Sequence, residues 1–124
     1  ILNFTNRIQE HSESVRAGGW AACPDFAYTL RPIPELGGKT LGLMGYGNIA
    51  RAVADIGRAF GMRILANRRN PQPEPDVEFV DVDGLFRESD FLSLHCPLTP
   101  ETQGLVNART LGLMKPTALL VNTG

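Results

Sequence analysis

Gly45-Tyr46-Gly47-Asn48-Ile49-Ala50 joins the apolar run Thr40-Leu41-Gly42-Leu43-Met44 to a helical pattern that lasts until Phe60. The apolar run is short and flanked by glycine. It reads as a strand buried on both faces, the kind that occurs in parallel sheets. Beyond the turn, Ile49, Val53, Ile56 and Phe60 recur at i, i+4, i+7 and i+11, which predicts a helix with one buried stripe. Ala50, Ala54 and Gly57 form a second stripe, of small residues, that lets helix and strand backbones come close. Arg51 and Asp55 stand at i, i+4 on the outside, and Gly61 is placed to cap the end.

A G-x-G-x-x-G/A turn between a strand and a helix is a phosphate cradle. Gly45 permits the tight turn, Gly47 lets the backbone touch a pyrophosphate, and the third position must be small for packing, which Ala50 satisfies. The N–H groups around Asn48 and Ile49 lie at the positive end of the helix dipole, where anions are held. An ordinary glycine-rich turn would also fit these residues. The strand–turn–helix context favours a dinucleotide site.

Arg63-Ile64-Leu65-Ala66 reads as the second strand, and Asn67, Arg68 and Arg69 stand at its end. NAD sites place an Asp or Glu there, against the ribose 2′-hydroxyl. A carboxylate repels a 2′-phosphate, whereas a guanidinium pairs with it through two hydrogen bonds. The residues therefore predict NADP over NAD; the alternative is a pair of solvated surface arginines.

The rest of the chain continues the alternation. Residues 1 to about 17 read as an amphipathic helix with Ile1, Phe4, Ile8 and Val15 on one side, closed by Gly18-Gly19. Trp20 to Gly38 reads as an irregular connector stiffened by Pro24, Pro32 and Pro34. Three prolines in Asn70-Pro71-Gln72-Pro73-Glu74-Pro75 exclude a helix interior. Val77–Val80 reads as a third strand, Asp83–Glu88 as a helical turn or two, and Phe91–His95 as a fourth strand. A loop over Pro97–Thr102, a helix over Asn107–Met114 and a strand over Ala118–Asn122 complete the series. Strands alternating with helices predict an α/β doubly wound parallel sheet, the Rossmann arrangement, truncated before its last strands.

Composition sets bounds on function. At 124 residues, with 43% hydrophobic and 20% charged content, the chain suits one globular domain. A net charge of −1 offers no field for nucleic acid, and no apolar run reaches the length a membrane helix needs. Cys23 and Cys96 stand far apart and outside any CxxC spacing, so the expectation is reduced thiols, no metal site and a cytoplasmic location. His95 and Cys96 end the fourth strand at the ligand-binding edge. His95 has three open roles: orienting the loop, simple burial, or acid–base catalysis. Cys96 reads as a packing residue or backbone contact, and His11 as a solvated helix residue.

These stretches together resemble the D-isomer-specific 2-hydroxyacid dehydrogenases. The residues that carry the likeness run from Leu36-Gly37-Gly38-Lys39-Thr40-Leu41-Gly42 through the Gly45 turn to Ala59-Phe60-Gly61-Met62. They resume at His95-Cys96-Pro97-Leu98-Thr99-Pro100-Glu101-Thr102, Met114-Lys115-Pro116 and Leu120-Val121-Asn122-Thr123. The chain looks closest to the glycerate dehydrogenase and glyoxylate/hydroxypyruvate reductase branch. The resemblance implies hydride transfer between NADP (or NAD) and a small 2-oxo or D-2-hydroxy acid. It implies cofactor contacts at Asn48, Ile49, the second-strand end, Cys96, Pro97, Thr102, Thr123 and Gly124. It implies residues 1–36 as an inter-domain helix and connector, 37–124 as a partial dinucleotide-binding domain, and a homodimer served by Trp20 and the apolar stripe.

The family's catalytic Arg, carboxylate and His are expected beyond Gly124, together with a substrate domain outside this chain, so no catalytic residue is assigned here. Ala50 for Gly, Arg68 for an acidic residue and Thr117 for Gly are departures from the usual pattern. A nicotinamide-sensing regulator of the corepressor type, on the same fold, is the rival from a different functional class.

Overall fold

In the computed structural model, which describes residues 1–123, the chain divides into two units, Ile1–Glu35 and the remainder from Leu36. The first unit is helical: α1 (Leu2–Asn6), α2 (Ile8–Arg16) and α3 (Gly19–Ala22). The single helix expected over residues 1–17 is broken at Arg7, a non-glycine residue with φ 47°. A left-handed residue of this kind costs about 1–2 kcal/mol, and local bonds offset it. The Arg7 guanidinium meets Glu10 at 2.8 Å, and the Arg7 carbonyl accepts from the His11 ring at 3.0 Å. The other ring nitrogen of His11 accepts the Leu30 N–H at 3.3 Å. His11 is thus a tie within this unit, not the solvated residue the sequence suggested. Gly18, at φ 87°, ends α2 as expected, but a short third helix follows where only irregular chain was foreseen.

The second unit is a five-stranded parallel sheet: β1 (Thr40–Met44), β2 (Arg63–Asn67), β3 (Glu78–Phe79), β4 (Phe91–Leu94) and β5 (Leu119–Asn122). The strand order is β3-β2-β1-β4-β5, which puts β1 at the centre. Its register runs Leu41↔Ile64 on one side and Leu41↔Phe91 on the other. All five β1 residues are buried, as a strand covered on both faces requires.

Helix α4 (Asn48–Ala59) covers one face with Leu41, Leu43, Ile64 and Ala66 beneath it. Helix α5 (Val82–Glu88) covers the other, where Leu65, Leu85, Phe86 and Leu92 interlock. Each fully buried Leu or Phe contributes roughly 1.5–3 kcal/mol. Asp81 caps α5 through the Gly84 N–H at 2.6 Å, and Asn107 with Thr110 forms a capping box on α6 (Ala108–Leu113).

The face that α4 buries corrects the sequence reading. Ala50, Ala54 and Gly57 pack on the sheet, whereas Ile49 is 70% and Ile56 60% exposed. The cause is distance. A Cβ on Gly57 would lie 2.8 Å from Leu41 Cδ2 and 2.9 Å from Ile64 Cδ1, so only the small stripe brings helix and sheet this close. Arg51 and Asp55 lie on the outside of α4 as expected, where Arg51 meets Glu74 and Asp55 meets Arg58. β3 is shorter than the expected Val77–Val80: Glu78 and Phe79 pair with Leu65 and Ala66, and the Val80 N–H still donates to the Ala66 carbonyl at 3.0 Å.

Candidate functional site

Because the strands are parallel, the residues that follow β1, β2, β4 and β5 all collect at one edge. β2 and β3 extend the sheet to one side of β1, β4 and β5 to the other. The direction of winding therefore reverses between β1 and β4, and such a switch point is where doubly wound sheets bind ligands.

Gly45 leaves β1 with φ 84° and packs on the backbone of Cys96. Its N–H and that of Tyr46 both donate to the Asn67 carbonyl, at 3.0 and 3.3 Å, which locks the turn to the end of β2. Gly47 stands at the N-cap of α4, where no side chain among the described residues caps the helix. The first bond into the helix is Arg51 N–H to Gly47 O at 3.0 Å, so the N–H groups of Asn48 and Ile49 precede it and face the sheet edge unclaimed by the ladder. A Cβ on Gly47 would meet nothing within 4 Å. An open, uncapped helix N-terminus above a close-packed glycine fits a bound pyrophosphate.

The residue between the two glycines has a structural role that sequence reasoning missed. Tyr46 is buried, donates its hydroxyl to Glu74 Oε1 at 2.9 Å, and meets the Phe79 ring edge-on at 5.5 Å. Arg51 reaches the other Glu74 oxygen at 2.9 Å and lies 5.6 Å from the Tyr46 ring centroid. Burial, then the hydrogen bond to the Glu74 carboxylate, raises the Tyr46 pKa above its ordinary value. The trio fastens the proline-rich crossover to the phosphate turn. Its partners are far apart in sequence, and a tyrosine at a variable motif position carries no signal of its own.

At the end of β2 the three predicted residues separate. The Asn67 side chain donates to the Val80 carbonyl at 2.8 Å and so holds the crossover. Arg68 is half-buried, and among the described residues no carboxylate lies within ion-pair distance of it. Arg69 is exposed and meets Glu101 at 3.6 Å.

On the far side of β1, His95, Cys96, Pro97 and Thr102 follow β4. The Thr102 hydroxyl donates to the Pro97 carbonyl at 2.6 Å and receives the Thr99 N–H at 2.8 Å, which folds the loop on itself. Cys96, Pro97 and Thr102 line a cleft of about 310 Å³ with Leu94, Leu105 and Asn122. Thr123 follows β5 and donates its hydroxyl to the Leu94 carbonyl at 2.8 Å. With that proton committed, its oxygen accepts from the His95 Nδ1–H at 2.9 Å. His95 Nε2 is buried with no hydrogen-bond partner among the described residues, and burial lowers the ring's pKa. This geometry gives His95 an orienting role between β4 and β5. Gly124 lies outside the described residues.

A second depression, bordered by Arg58, Arg63 and Asp76, lies where β2 begins, at the opposite edge from the glycine turn. Among the described residues, no cluster of three or more His, Cys, Asp or Glu forms a metal site, and no helix is long and apolar enough to cross a membrane.

Comparison with known proteins identifies the family of this domain. The family model described as D-isomer specific 2-hydroxyacid dehydrogenase, NAD binding domain, matches residues 1–124. A glyoxylate reductase from Aeropyrum pernix is 43% identical over 129 residues, covering 100% of this chain and 38% of that protein. A hydroxypyruvate reductase from Blautia hydrogenotrophica is 37% identical, covering 98% of this chain and 39% of that protein. Among solved structures, an acyclic imino acid reductase (Bsp5) in complex with NADPH and D-Arg superposes with a TM-score of 0.86. It is 31% identical, and the match covers 98% of this chain and 38% of that one. The chain thus spans about two fifths of the length of the curated relatives it matches.

Proposed function

The chain belongs to the D-isomer specific 2-hydroxyacid dehydrogenase family as its NAD-binding domain, and from that premise we propose that it serves an NADP-preferring reductase of small 2-oxo acids. The observation that carries the preference is the end of β2, where Arg68 and Arg69 stand and Arg68 has no carboxylate neighbour among the described residues. A 2′-phosphate supplies that missing anion; a ribose 2′-hydroxyl leaves the guanidinium unmatched.

Each element then has a part. Gly45, Gly47 and the first N–H groups of α4 receive the pyrophosphate. Arg68 and Arg69 receive the 2′-phosphate. The loop from Cys96 through Pro97 to Thr102, and Thr123 beyond β5, border the nicotinamide half. When bound, the nicotinamide supplies or takes the hydride; the protein's share is to hold it in place. Glyoxylate, hydroxypyruvate or glycerate is the substrate class, supported by the names of the relatives. Exposed Phe4, Ile8, Val15 and Trp20 support a homodimer through the first unit, and the free thiols of Cys23 and Cys96 support a cytoplasmic location.

Titration of Arg68→Asp with both cofactors tests the reading. NADPH affinity should fall about ten- to a hundredfold, the value of one charge-assisted hydrogen bond, with NADH little changed. Equal losses for the two would overturn the preference.

A further inference from the structure

β2 and β4 flank β1, so any contact between the segment after β2 and the loop after β4 must pass over the carboxyl end of β1. Among the described residues, an ion pair makes such a contact. Arg69 Nη2 lies 3.6 Å from Glu101 Oε2, across the mouth of the glycine turn. Both side chains are largely exposed, at 76% and 65%, so neither is held by packing and either can exchange its partner. The Thr99 hydroxyl, the Glu101 backbone N–H and Arg69 together hold the Glu101 carboxyl below its ordinary value, so it is an anion at neutral pH.

We propose that Glu101 is an internal counter-anion that competes with the 2′-phosphate of NADP(H) for Arg69 and thereby limits how strongly this domain prefers NADP(H) to NAD(H). The inference rests on the reading of Arg68 and Arg69 as the 2′-phosphate pair. A 2′-phosphate arriving beside Arg69 must displace the Glu101 carboxylate or share the guanidinium with it, and like charges at that range repel. NAD(H) presents only a hydroxyl there and disturbs nothing. Among the described residues Arg68 has no such competitor, so the two arginines differ: Arg68 is a standing anion site, Arg69 a regulated one.

The test is calorimetric titration of the full chain and of Glu101→Gln with NADPH and with NADH, with Arg69→Gln and the double variant alongside. Exposed ion pairs are weak, so Glu101→Gln should tighten NADPH binding by about two- to fivefold and leave NADH unchanged. The gain should vanish when Arg69 is already Gln. NADPH binding unchanged or weakened by Glu101→Gln, an equal gain for NADH, or a gain that survives Arg69→Gln would each overturn the proposal. A wild-type chain that binds both cofactors alike would instead overturn the preference reading. The Glu101→Gln effect on NADPH, read separately, still decides this one.

Discussion

Gly45 and Cys96 are in backbone contact: a Cβ on Gly45 would lie 2.7 Å from both the Cα and the N of Cys96. Gly45 also has φ 84°, a conformation side chains rarely adopt. Gly45→Ala therefore combines left-handed strain with a clash against main chain that cannot rotate away. Each effect costs about 1–3 kcal/mol, so urea unfolding should show a loss of at least about 2 kcal/mol. A midpoint equal to the parent's would mean that the two strands separate more easily than the packing indicates.

Gly47 should behave in the opposite way. Its backbone, at φ −104°, suits any residue, and the space a Cβ would take is open. Gly47→Ala should melt within a degree or two of the parent and still lose about tenfold or more in cofactor affinity, because the methyl keeps a phosphate off the N–H groups. Intact affinity would show that the pyrophosphate does not approach this backbone.

Asp90 joins three strands at the amino edge of the sheet. Its carboxylate accepts the Thr40 N–H at 2.8 Å and Lys115 at 2.9 Å, while its own N–H and C=O bond Thr40 and Leu119. Burial raises its pKa, but Thr40, Lys115 and Lys39 outweigh that and hold it below the ordinary value. Asp90→Ala should cost about 1–3 kcal/mol at neutral pH. The Asp90 contribution is present above the unfolded carboxyl's pKa of about 3.9 and is lost as pH falls through the lower folded value. The parent should thus lose its advantage over the variant only below about pH 4; an advantage already gone at pH 5 to 6 would contradict the assignment.

His95 gives a slope in a higher window. Burial depresses its pKa in the folded state, so the unfolded chain takes up the proton first as pH falls. Stability is then full above about 6.5 and declines below it, through the folded value. His95→Gln should flatten the decline that sets in below about pH 6.5. Its persistence there would assign the decline to another group.

How far these features could be read from residues alone depended on how local they are. β1, the φ of Gly45 and the span of α4 follow from neighbours in sequence, and they appear where the pattern placed them. The burial face of α4 did not follow. Hydrophobicity chose Ile49 and Ile56, but the close approach of Gly57 to Leu41 and Ile64 decided for the small stripe. The break at Arg7 was hidden because a non-glycine residue occupies the left-handed position. At the site, the glycine turn and the arginines were legible as motifs. The clasp from Tyr46 and Arg51 to Glu74, and the pairing of Arg69 with Glu101, join residues separated by many positions, so only the folded chain reveals them.

The most direct test of the account is calorimetric titration of residues 1–124 with NADPH and with NADH at moderate salt. Saturable one-to-one binding of NADPH, tighter than NADH by about tenfold or more, is the predicted result. Tighter binding of NADH, or no saturable binding of either cofactor by a folded chain, would contradict it.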